Sequence, residues 1–226
     1  MTHPVIRVIV ADDEPLMRFA LRTLLESQDD IVVTAEAQDG AQVLERAFEE
    51  LPDVVLTDLR MPGMDGIAAT RKLMELPEPP AVLALTTFDT DGGLAQALAA
   101  GATGYLLKDA PPEQVVAAVR LVACGGTALA PVPAARLAVS GAERGALSGS
   151  AADPGLRRRL AGLNEQQREL LRHLGAGRSN AGIARSMHLS EGTVKAYVSR
   201  LMSVLEVDNR TQAAILAHQA GLAGGR

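Results

Sequence analysis

Two short apolar runs in this chain end on aspartate. Residues 5–14 read VIRVIVADDE and residues 53–58 read DVVLTD. Runs rich in β-branched residues of this length suit strands buried on both faces. Asp12, Asp13 and Asp58 therefore stand where such strands end, and in an open α/β sheet that edge carries ligands and chemistry. Each residue also has a plain reading: Asp13 could simply cap the helix that follows, and Asp58 could be a turn former ahead of Met61-Pro62-Gly63. Taken together they mean more. Three carboxylates in one place cannot all ionise cheaply without a cation. Oxygen-only donors suit Mg²⁺, which keeps several waters and completes its shell with phosphate oxygens. Thr86, at the end of a fourth run, offers a hydroxyl to a phosphoryl oxygen, and Lys108, after a fifth, offers a point charge. The expected site holds Mg²⁺ and handles a phosphoryl group, with Asp58 as a nucleophile that forms an acyl phosphate.

Five strands and five helices must position these residues. Strand patterns cover 5–10, 31–37, 53–57, 81–87 and 104–107, and 3.6-residue patterns cover 16–26, 41–50, 66–76, 92–100 and 112–124. Regular alternation of this kind implies a parallel sheet with helices on both faces. The flavodoxin-like order 2-1-3-4-5 makes the first and third strands neighbours, so Asp12, Asp13 and Asp58 converge at the switch point.

The chain changes character after residue 125. Residues 126–160 are rich in Ala, Gly, Ser and Pro, read as a linker, with room for a short helix near 134–139. Residues 161–226 read as four helices capped by Asn164, a start at Asn180, Ser190 and Asn209. The joint HLSEG between the second and third has helix-turn-helix spacing. In the third, Val194, Val198, Leu201 and Leu205 share one face that should pack inward. Lys195, Ala196, Ser199 and Arg200 lie off that stripe, a small and polar outer face suited to a major groove or, more plainly, to solvent.

Composition narrows the setting. Residues 1–129 carry 9 basic and 20 acidic side chains, whereas residues 160–226 carry 8 and 5, which suggests two modules with different partners. The single cysteine, Cys124, rules out an internal disulfide framework and fits a reducing cytoplasm. No apolar run approaches the ~18 residues of a membrane span, and the N-terminus has no signal-peptide pattern, so no membrane partner is expected.

The motifs VIVADDEPLMR, VVLTDLRMPGMDG, LALTTFD and AGATGYLLKD closely resemble the receiver domain of bacterial two-component response regulators, over nearly all of residues 5–124. The resemblance implies that Asp58 accepts phosphate from a sensor histidine kinase. It implies that Asp13, Asp58 and the backbone carbonyl of Arg60 ligate Mg²⁺, with Asp12 acting through water. It makes Thr86 and Tyr105 a switch pair, in which Thr86 moves toward the phosphoryl group and Tyr105 turns inward, and Lys108 the phosphate-pairing lysine. Residues 163–222 resemble the LuxR-type helix-turn-helix domain, which implies double-stranded DNA as a partner. By that resemblance Thr193, Lys195, Ala196, Tyr197, Ser199 and Arg200 contact DNA, and Asn180 and Arg210 contact its backbone. Two positions depart from the family pattern: Gln167 replaces a glutamate that normally forms an ion pair, and Tyr197 stands where histidine is frequent.

The chain thus resembles the NarL/FixJ type: a cytoplasmic transcription factor, not an enzyme beyond its own Mg²⁺-dependent phosphotransfer and dephosphorylation, and a homodimer when phosphorylated. The rivals are a DNA-binding regulator that ignores phosphorylation, a helical domain that grips a protein, and a phosphohydrolase working through an aspartyl phosphate. The last would need a general acid beside Asp58, and Met61-Pro62-Gly63 offers none.

Overall fold

The computed structural model of the chain describes residues 5–87, 93–129 and 154–222. The chain divides into two compact units after Ala123.

The first unit runs β1 (Ile6–Ala11), α1 (Pro15–Glu26), β2 (Ile31–Ala37), α2 (Gly40–Glu50), β3 (Val54–Asp58), α3 (Gly66–Leu73), β4 (Ala81–Thr86), α4 (Gly93–Ala100), β5 (Gly104–Leu107) and α5 (Pro112–Ala123). The five strands are parallel in the order β2-β1-β3-β4-β5. The flavodoxin-like expectation is met, with bounds within a residue or so of the expected ones for most elements. One helix is shorter: α3 stops at Leu73 rather than at residue 76. Pro77 follows Leu76, and the residue before a proline is pushed out of the helical region. The sheet owes its stability to aliphatic burial. Val8, Ile9, Val10 and Ala11 of β1 and Val54, Val55 and Leu56 of β3 are fully covered, so burial on both faces removes most of their apolar surface from water. The short helix expected near residues 134–139 lies outside the described residues.

The second unit contains α6 (Pro154–Ala161), α7 (Glu165–Gly175), α8 (Asn180–Met187), α9 (Glu191–Leu205) and α10 (Arg210–Gln219). Helix α6 occupies the end of the segment expected to be linker. Proline tolerates the first turn of a helix, and Leu160 packs against the core of the unit while Arg159 pairs with Glu206. Tertiary contact, not periodicity, makes this helix.

Each later helix is capped by a side chain. Asn164 accepts the Gln167 N–H at 2.8 Å, and the Gln167 side chain returns to the Asn164 N–H at 3.0 Å, a complete capping box. Gln167 thus anchors α7 without the family's ion pair. Helix α8 starts at Asn180, as the sequence indicates, with Ser179 as its cap. Ser190 caps α9 and Asn209 caps α10, as the sequence indicates. Val194, Val198, Leu201 and Leu205 all face the core. His188 ends α8 in the left-handed conformation at φ 54, which histidine tolerates better than most residues, and this sets the turn into α9.

His173, in the last turn of α7, is half-buried. Burial, and then the positive charge of Arg178, lower its pKa; Arg172 adds to this and Glu169 opposes it. A base whose folded pKa is lowered takes up its proton more readily when unfolded. Its contribution is intact above the unfolded value near 6.5 and is lost as pH falls through that value toward the folded one. Thermal unfolding of the full chain should therefore show the helical unit losing stability below about pH 6.5. His173→Gln should flatten that slope, and identical slopes in the two proteins would refute the assignment.

Candidate functional site

The strand register builds the site one residue at a time. Ala11 of β1 pairs with Thr57 of β3, so Asp12 and Asp58 come next, side by side. Asp58 pairs with Leu85 of β4, which puts Thr86 one step further. Thr86 pairs with Leu107 of β5, and Lys108 follows it, its N–H donating to the Thr86 carbonyl at 2.7 Å. Residues far apart in sequence thus share the carboxyl edge of one sheet.

There the carboxylates converge. Oxygens of Asp12, Asp13 and Asp58 all lie within 4.8 Å of one another. Asp12 and Asp58 are buried, and Asp13 is exposed at the mouth. Asp13 does not cap α1, whose N-cap is Glu14, with no side-chain cap bond and with Pro15 opening the helix. Lys108 enters from the other side, its side chain only 6% exposed. Its Nζ donates to Asp58 Oδ2 at 3.0 Å and lies 2.7 Å from Asp12 Oδ2, an ion pair whose angles fall short of a hydrogen bond. Glu14 is further off, at 3.8 Å.

The electrostatics follow from burial. Desolvation pushes the Asp58 carboxyl above its ordinary pKa, and the Lys108 hydrogen bond and the Arg60 N–H only partly offset it. Burial works against the Lys108 ammonium too, yet its close contacts with the Asp12 and Asp58 carboxylates outweigh that and raise its pKa. The three clustered aspartates outnumber the one lysine that pairs with Asp12 and Asp58, a formal excess of two negative charges among these four groups. A divalent cation would balance it. The donors are all oxygens, as hard cations require, and these residues fit Mg²⁺.

Other predicted residues fall around this centre. The Arg60 N–H donates to Asp58 Oδ1 at 3.3 Å. Arg60 also lines, with Asp13, Thr86, Met61 and Gln96, an open cleft of about 510 Å³ beside the carboxylates. Tyr105, the other half of the expected switch pair, lies on β5. Its side chain is in the inward position, 1% exposed. Its register partner on β4 is Ala84.

Three supporting residues escaped the sequence reading. Arg18, one helical turn into α1, donates from Nη1 to the Asp12 carbonyl at 2.7 Å and lies 3.5 Å from Glu36, holding the end of β1. Gly66 opens α3 so close to β3 that a Cβ there would stand 1.9 Å from the Asp58 carbonyl oxygen. Gly40 opens α2 against the same loop, its N–H donating to the Met64 carbonyl at 2.8 Å. A glycine in a turn motif is visible in sequence; the backbone it must approach is not.

In the second unit, α9 presents Lys195, Ala196, Ser199 and Arg200 as one exposed face. Thr193 and Tyr197 flank it, half-buried. Thr193 Oγ1 lies 2.8 Å from the Ser190 hydroxyl, and the Tyr197 ring leans on the core. Asn180 and Arg210 are brought together, at 2.7 Å.

Comparison with known proteins gives the family. The response regulator receiver domain profile matches residues 8–120, and that of the luxR family of bacterial regulatory proteins matches residues 161–217. The transcriptional regulatory protein LnrK of Bacillus subtilis (strain 168) is 37% identical over 219 residues, 96% of this chain and 98% of that protein. The nitrate/nitrite response regulator protein NarL of Escherichia coli (strain K12) is 32% identical over 216 residues, 94% of each. Among solved structures, the response regulator ChrA of a heme-sensing two-component system matches with a TM-score of 0.51 and 40% identity, covering 97% of this chain and 100% of that one. The chain belongs to the NarL/FixJ family of two-component response regulators, a receiver domain joined to a LuxR-type helix-turn-helix domain. Its relatives of matching length include proteins named as transcriptional regulatory proteins.

The close approach at Gly66 is testable. Gly66→Ala should shift β3 against α3 and cost about 3 kcal/mol, the upper part of the usual overpacking range, in urea unfolding of the receiver unit. Gly63→Ala, with φ +73 but open space around it, should cost only about 1 kcal/mol. Equal losses would show that the contact with Asp58 is not what requires glycine.

Proposed function

We propose that this protein is a phosphorylation-controlled DNA-binding regulator of transcription, with Asp58 as the phosphoacceptor and a sensor histidine kinase as the donor. The observation that carries the reading is the convergence, fixed by strand register, of Asp12, Asp13 and Asp58 with Lys108 at one sheet edge. An Asp58 oxygen attacks the phosphorus of a phosphohistidine; the new P–O bond forms as the P–N bond breaks, and the bond pair leaves with the imidazole nitrogen. Asp12, Asp13, Asp58 and the Arg60 carbonyl are the proposed seat of Mg²⁺, which when bound neutralises charge on the transferring group. Lys108 holds Asp58 before transfer and the phosphoryl oxygens after it. Thr86 supplies a hydroxyl from the next strand. The proposed switch couples movement of Thr86 toward the phosphoryl group to the inward position of the Tyr105 ring, biasing the face built from β4 and β5.

The output is DNA. Lys195, Ala196, Ser199 and Arg200 form the face of α9 that would enter the major groove, with Thr193 and Tyr197 at its flanks. A homodimer formed on phosphorylation would set two such helices about one turn of DNA apart. The work fits a cytoplasmic protein, and among the described residues no helix is long and apolar enough to cross a membrane. Turnover chemistry is not part of the reading beyond phosphotransfer to and loss of phosphate from Asp58.

The test measures binding to a genomic DNA fragment library with and without acetyl phosphate and Mg²⁺. Wild type should bind selected fragments at least about tenfold tighter with the donor, a gain of ~1.4 kcal/mol, and Asp58→Ala should not respond. Equal binding by both proteins, indifferent to the donor, would remove phosphorylation from the mechanism.

A further inference from the structure

Arg210 opens α10, and its guanidinium is turned into its own domain. Nη1 donates to Asn180 Oδ1 at 2.7 Å, and Nη2 donates to the Arg178 carbonyl. The Nε edge is buried. Burial lowers the Arg210 pKa to about 10, which leaves it charged at neutral pH. A charged group in such a position retreats to solvent only by giving up charge-assisted bonds that are among the stronger ones in proteins.

Both acceptors lie at the entry to α8, the first helix of the helix-turn-helix pair. Asn180 is the first helical residue, directly after the cap Ser179. The Arg178 carbonyl lies just before that cap. The Arg178 side chain is engaged as well, donating to Ser186 Oγ at 2.6 Å. A guanidinium can face only the oxygen of the Asn180 amide, so it fixes the amide's orientation and leaves the NH₂ group to donate elsewhere. A phosphate oxygen of DNA is an acceptor of the right kind.

We infer that Arg210 is a positioning residue for DNA recognition, acting through Asn180 and the entry of α8 and not by touching a phosphate itself. The inference rests on the DNA-binding reading above. It also accounts for why arginine stands here: a lysine carries the charge but is a point donor that cannot bridge the two acceptors in a fixed fork.

The experiment compares wild type, Arg210→Lys, Arg210→Met, Asn180→Ala and the Arg210→Met/Asn180→Ala double variant as full-length protein. Affinity for a fragment selected by the wild type is measured across a salt series. For a positioning residue, Lys and Met should both lose about tenfold or more. Their slopes of log affinity against log salt should match the wild type. The double variant should be little worse than Arg210→Met, because the two act as one unit. A direct phosphate contact predicts otherwise: Lys retains most of the affinity, Met flattens the slope by about 0.9, and the two losses add. Those results would overturn the inference. Amide exchange at residues 180–183, measured without DNA, supplies the control for the reading it rests on. It should quicken about tenfold in Arg210→Lys. If wild type binds no DNA, the DNA reading fails while the exchange result still decides whether Arg210 holds the entry of α8. Unchanged exchange would overturn the positioning role in either case.

Discussion

Two aspartates buried side by side on neighbouring strands are the constraint to which the rest of the receiver unit answers. Asp12 is fully buried and Asp58 nearly so. Their charges repel, and burial penalises each of them. Lys108 relieves part of this from the end of a third strand, held there by the backbone bond to Thr86. It can do so only because the sheet is rigid. A slip of one residue between β1 and β3 would turn Asp58 away from Asp12 and send an aspartate into the aliphatic layer. The apolar runs of β1 and β3 therefore do two things at once: they supply burial, and they fix the register that makes an acidic pocket.

The backbone around the pocket is shaped to the same end. Arg18 grips the Asp12 carbonyl, and the Thr57 hydroxyl donates to the Asp58 carbonyl at 2.9 Å. Helices α2 and α3 both begin on glycines pressed against the loop after β3. Asp39 and Asp65 cap these two helices. The loop that carries Arg60 and Met61 is thus held from both sides, which keeps the carboxylates in place while the cleft beside them stays open.

Much of this was legible in the sequence, for a physical reason. Strand periodicity, strand ends and helix caps are local, and VIVADD, VVLTD, Asn164, Ser190 and Asn209 each act within a few residues of themselves. The parallel order then follows from alternation, and the pocket from the order. What was not legible depends on distance in the chain. The glycine at 66 is required by a carbonyl at 58, and α6 forms because Leu160 finds a core built from later helices. Gln167 shows the complementary case. Judged as a departure from a family pattern it weakens α7, yet as the third residue of a capping box it secures the same turn.

The same distinction separates the two kinds of basic residue in the helical unit. Lys195 and Arg200 project from the exposed side of α9, opposite the four buried aliphatic residues that hold the helix in place. Arg210 lies thirty residues after the asparagine it binds and is half-buried. Charge counting treats all three alike, but their physics differs. A side chain on the outer face keeps its rotamer freedom and its hydration until a ligand takes them, whereas a buried fork has already given up both. A surface that must meet a phosphate backbone needs groups of the first kind to make contact. It needs groups of the second kind to hold the contacting helices at a fixed distance and angle. On the proposed reading α9 supplies the first and Arg210 the second, so the recognition surface extends beyond the recognition helix into the joint that precedes α8.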